Sequence, residues 1–139
     1  MRHTLAIAIL AFAALLAAPA VPSMAVNVEL LHGTVRDGDA SHPAAGRAAV
    51  VKTEDGKRLL TVRKLSIRNA GAVRVYLVPR KVRGNRIGSD RKDLGRLKGN
   101  KGNQKYTIPA SVDLRRYNTV VFWCVPFSVT LGRADLKRS

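Results

Sequence analysis

The chain of 139 residues has a single cysteine, Cys124, and beyond its first 25 residues only two histidines, His32 and His42. A thiolate is at once a nucleophile, a redox centre and a soft metal ligand, so any such chemistry would run through Cys124. Haem iron or copper would take its sulfur as one ligand and need a second, for which His42 is the candidate. The competing reading is a buried cysteine that acts only as a small hydrophobe. Other chemistries find little support. There is no Gly-x-Ser-x-Gly elbow, and both histidines lie upstream of the strand-like segments. Gly95-x-x-x-Gly99-x-x-Gly102 lacks the Gly-Lys-Ser/Thr ending of a phosphate loop. Asp37, Asp39 and His42 are metal-type residues, but Asp-Gly-Asp in a Gly-rich stretch reads as a turn, so no metal site is assigned. Covalent haem attachment is excluded, since no Cys-x-x-Cys-His is present. An enzyme acting by itself is therefore not expected.

The elements that must position Cys124 have a β texture. Arg47–Lys52 and Arg58–Leu65 flank Glu54-Asp55-Gly56, a turn whose glycine supplies positive φ. In Ala72–Val78, Val73, Val75 and Leu77 share one face and Arg74 and Tyr76 the other, the pattern of a strand with one buried side. Gln104–Ile108, Thr119–Val125 and Phe127–Leu131 are further strands, the last alternating Phe127, Val129 and Leu131 against Ser128 and Thr130. Cys124 falls on the face of Val120 and Phe122, near a strand end marked by Pro126. No helical period longer than two turns occurs after residue 25. The expectation is an all-β fold, a compact antiparallel β-sandwich or flattened barrel preceded by a signal-peptide helix. Its core should hold Val73, Val75, Leu77, Phe122 or Trp123, Phe127 and Val129.

The N-terminus reads as an export signal. Arg2 precedes an almost unbroken apolar run from Thr4 to Ala18; Pro19 and Pro22 break it, and Ser23-Met24-Ala25 offers small residues at a cleavage site. The run is short and proline-rich for a membrane span of about 20 residues. The expected organisation is a signal peptide over 1–25, an extended lead-in over 26–46 and one β domain over 47–136, in a periplasmic or secreted protein. Removing 25 of 139 residues leaves 114, enough for one domain. A single cysteine allows no internal disulfide.

Charge is the other strong signal. After cleavage 24 basic residues face 9 acidic ones, a net +15. Such a field favours association with anions: acidic envelope polymers, lipid head groups or an acidic protein. An exported chain does not meet intracellular nucleic acid, and exposed base-stacking aromatics are scarce. Ten Lys/Arg fall between Pro79 and Lys105 against Asp90 and Asp93 alone. This stretch is expected to be mainly loop around a short strand at Asp93–Leu97, with 80–92 mobile. It is either a solvated linker or a docking surface presenting Arg80, Lys81, Arg83, Arg86, Arg91 and Lys92.

The C-terminal residues resemble a known family. Asp93-Leu94-Gly95-Arg96-Leu97-Lys98-Gly99-Asn100-Lys101-Gly102-Asn103-Gln104, Tyr106-Thr107-Ile108-Pro109, Val112-Asp113-Leu114, Tyr117 and Val120-Val121-Phe122-Trp123-Cys124-Val125-Pro126-Phe127-Ser128-Val129 look like the DM-thirteen domain. This is a small electron-transfer domain often found beside DOMON modules. His42-Pro43-Ala44-Ala45-Gly46-Arg47-Ala48 and Val75-Tyr76-Leu77 are similar to its earlier strands, so the resemblance covers about residues 42–136. It implies a compact β domain, with Cys124 as the family's characteristic cysteine, working as a free thiol or through a prosthetic group. Where the family tends to show Asn-Gly-Pro-Asp, this chain has Asn69-Ala70-Gly71-Ala72 and so lacks the carboxylate. With no DOMON or cytochrome unit in the chain, its electrons would come from a separate redox protein. Two readings follow: an exported redox module acting through Cys124, or a cationic binding module whose 79–105 segment contacts acidic envelope components while Cys124 only packs.

Overall fold

The computed structural model describes residues 9–22 and 26–139. Among these residues ten strands form two five-stranded antiparallel sheets stacked as an open sandwich. The first sheet has the order β10 (Lys137–Arg138), β1 (Val28–Thr34), β3 (Ala45–Lys52), β4 (Arg58–Ser66), β7 (Lys101–Ile108). The second has the order β2 (Arg36–Asp37), β9 (Val129–Asp135), β8 (Tyr117–Cys124), β5 (Val73–Pro79), β6 (Lys92–Arg96). The β3–β4 hairpin closes as its sequence predicts: Gly56 has φ 84° and Thr53 N–H donates to Lys57 O at 2.8 Å.

Between the sheets the alternating apolar faces meet. Val50, Leu60 and Val62 of the first sheet and Val75, Leu77, Val120 and Phe122 of the second are fully buried. Burying a large aliphatic or aromatic side chain contributes about 1.5–3 kcal/mol, so this seam supplies most of the driving force.

The structure differs from the sequence reading at several places. Residues 9–22 form no helix and are exposed; Arg2 and Ser23-Met24-Ala25 lie outside the described residues. No helix among the described residues is long and apolar enough to cross a membrane. The lead-in contributes β1 and β2 to the sheets; β6 stands where the short strand at Asp93–Leu97 is expected, but β7 begins at Lys101 rather than Gln104. The longer loop of the segment, 80–91, is docked; 97–100 is the short connection between β6 and β7. Ile87 is 4% exposed and joins Tyr76, Val78, Val121 and Trp123 in a second apolar cluster, with Val82 packed against it. Thr130 N–H donates to Asn85 Oδ1 at 2.8 Å, and Arg133 Nη1 donates to Val82 O at 2.7 Å. The face of β5 that carries Tyr76 is therefore buried too. Phe127 is 74% exposed instead of being in the core. β8 ends at Cys124, Val125–Ser128 turn, and Ser128 takes φ 50°, so the strand alternation restarts only at Val129.

Candidate functional site

Cys124 is the last residue of β8, paired in register with Val73 of β5 and Val129 of β9. The strand alternation turns it inward with Val120 and Phe122, and none of its surface is exposed. It forms part of the wall of a cleft of about 460 Å³ that also takes in Val129, Leu131, Arg68, Phe127 and His42. The fold thus brings together Cys124 and His42, which are 82 positions apart in the chain.

His42 is set by a tight turn. Its backbone N–H donates to Asp39 O at 3.1 Å, and its Nδ1 lies 2.7 Å from Asp39 Oδ1. That hydrogen bond, reinforced by Ser41 N–H, holds the Asp39 carboxyl below the usual carboxylate range. With Nδ1 engaged by the carboxylate, Nε2 is the nitrogen left for other partners. Asp37 is occupied in the fold as well, its Oδ1 accepting from Ala44 N–H at 2.8 Å.

The donor set argues against copper. A trigonal copper site takes two histidines with one cysteine, and the cleft offers one of each. His32 is on β1, where its Nδ1 meets Ser139 Oγ at 2.8 Å and Glu29 Oε1 at 3.3 Å. Among the described residues no three His, Cys, Asp or Glu side chains are grouped to hold a metal ion. Haem needs an axial sulfur open to the macrocycle, and with the Val125–Ser128 turn in place the Cys124 sulfur has no exposed surface to offer one.

The basic residues expected at a docking surface are partly consumed by the fold. Arg80 Nη2 donates to Leu136 O, and Arg83 Nη1 to Arg80 O. Arg91 donates to Gly88 O and lies 4.9 Å over the Tyr76 ring. Lys92 Nζ is 4.9 Å from the Tyr117 ring centre. Lys81 and Arg86 are exposed and make no ion pair among the described residues.

Two polar assemblies escaped the sequence reading. Asp90 accepts from Tyr117 Oη at 2.6 Å and Arg116 Nη2 at 2.5 Å, tying the loop to β8. The Tyr117 hydroxyl, then the Arg116 guanidinium, keep Asp90 below the usual carboxylate range. In the second, Tyr106 Oη donates to Gln104 Oε1 and accepts from Lys98 N–H, while Gln104 Nε2 donates to Gly99 O. Burial pushes the Tyr106 phenol up. Asn100 Nδ2 donates to Ile67 O and Asn103 Oδ1 accepts from Lys64 N–H. The Gly-Asn-x-Gly-Asn-Gln run is thus architectural: its amides brace the β6–β7 connection against β4 and the strand's exit.

No curated protein and no solved structure matches this chain. One family model does, described as electron transfer DM13, over residues 37–136. The match spans most of both sheets, includes Cys124 and His42, and agrees with the resemblance carried by the Gly-Asn-x-Gly-Asn-Gln and Trp-Cys-x-x-Phe-Ser-Val pieces. The chain belongs to the DM13 electron-transfer family.

Proposed function

We propose that this protein is an exported electron-transfer module whose working atom is Sγ of Cys124, used as a thiol with no resident metal or haem. The observation that carries the reading is the shared cleft: the only thiol of the chain and His42 line one cavity. His42, anchored through Nδ1 by Asp39, has Nε2 left to accept the thiol proton, and Arg68 lines the same cleft. A lone cysteine works with a partner. The thiolate attacks one sulfur of the partner's disulfide, one mixed S–S bond forms, one partner bond breaks, and one partner thiolate leaves. Access to the sulfur comes through displacement of the exposed Val125–Ser128 turn, which carries Phe127.

Alkylation of the folded protein tests this. Cys124 is expected to react faster than the molecule unfolds globally, and His42→Gln to slow the reaction and move its pH profile. Cys124→Ser should remain folded, losing about 1–3 kcal/mol because its hydroxyl meets an apolar site without a partner, and should form no mixed disulfide. A thiol that reacts only at the rate of global unfolding refutes the proposal.

A further inference from the structure

The cations left free by the fold collect on a surface the sequence did not single out. On the outward face of the first sheet Arg47 of β3 stands directly opposite Arg63 of β4. Lys105 of β7 stands opposite Thr61, two residues along from Arg63 on the same side. Lys64 joins Arg63 and Lys105 around an open concavity of about 660 Å³, with Lys98 at its rim, where its Nζ donates to Lys105 O and lies 5.2 Å from the Tyr106 ring centre. None of these five makes an ion pair among the described residues. The one carboxylate that the register puts on this face is Glu29 of β1, already engaged by His32 and Ser139.

Like charges directly opposite across a strand pair oppose folding, so Arg47 and Arg63 are kept at some loss of stability. We propose that this face binds a linear acidic polysaccharide of the cell envelope. The cations follow one another over neighbouring strands about 4.8 Å apart, a spacing suited to a chain with repeated carboxylates. A membrane is disfavoured, because the exposed large apolar side chains of the β domain are Val26, Val28, Val125 and Phe127, none on this face. An acidic protein is disfavoured because interfaces of that kind centre on aromatic anchors, and Tyr106 of β7 is buried. The choice of a glycan over nucleic acid rests on export; nothing here depends on a role for Cys124.

The test is binding of the purified protein to polygalacturonate at several salt concentrations. Arg63→Gln combined with Lys105→Gln should weaken binding on the order of tenfold and lower the slope of log K against log salt by about two. Lys81→Gln combined with Arg86→Gln, in the loop over the other sheet, should change binding less than about twofold. Without polymer, Arg63→Gln should unfold at the wild-type temperature or above it, since the like-charge pair is relieved. Equal losses in the two double variants would overturn the proposal, as would tighter binding to polyglutamate or phosphatidylglycerol vesicles, no binding at all, or an Arg63→Gln protein that melts lower.

Discussion

Ile87→Ala tests whether the 80–91 loop is a structural cover or a solvated linker. The side chain is 4% exposed and packs with Tyr76, Val78, Val121 and Trp123 on the outer face of the second sheet. Truncation removes three carbon groups at about 0.8 kcal/mol each, about 2.4 kcal/mol of transfer free energy. The cavity increment should be small, because Ile87 sits on a loop that can settle inward. The expected loss is about 2–3 kcal/mol, read from urea denaturation at an unchanged m-value. For a domain of this size that lowers Tm by about 8–15 °C. The Thr130 amide, which donates to Asn85 of the loop, should exchange faster with solvent in the variant. Arg86→Ala, one residue away and exposed, should stay within about 0.5 kcal/mol of wild type. An Ile87→Ala loss below about 0.5 kcal/mol with unchanged Thr130 exchange would refute the cover and restore the linker.

Gly38→Ala should be among the most damaging small changes, because its Cβ would lie 1.8 Å from the carbonyl oxygen of Thr130. The β2–β9 edge must then separate, and a stability loss of about 3 kcal/mol or more is expected in thermal melts. Asp90 has a folded-state pKa below its ordinary 3.8, through Tyr117 and then Arg116. Its stabilisation is therefore complete above that value and is lost as pH falls through the lowered one. Denaturation midpoints measured below about pH 4 should fall less steeply for Asp90→Asn than for wild type. Intact-mass measurement of exported protein should give a chain beginning at Val26; a mass that retains Met1–Ala25 would disprove cleavage.

The sandwich was legible because its inner faces obey a period of two. Val73, Val75 and Leu77, and Val120 and Phe122, alternate with residues pointing the other way. What misled was the assumption that the other way meant solvent. Tyr76, Val121 and Trp123 have their own partner in Ile87, and a single apolar residue amid Arg, Gly and Asn gives no periodic signal. Phe127 misled for a related reason: alternation was carried through a turn that resets it at Ser128. Cys124 was located by being alone and by its family setting, whereas its meeting with His42 depends on tertiary folding of the 39–42 turn. The basic face was hidden altogether, because Arg47, Arg63 and Lys105 become neighbours only through strand register.

The sheet order also governs when this molecule can finish folding. β1 takes β10 as its outer neighbour, and β2 pairs with β9. The first strands of the domain therefore wait for the last residues of the chain before either edge is complete. Such long sequence separations slow folding, because loop closure precedes the contacts that reward it. Until β9 and β10 have been made, β1 lacks its outer partner and β2 lacks the strand it pairs with.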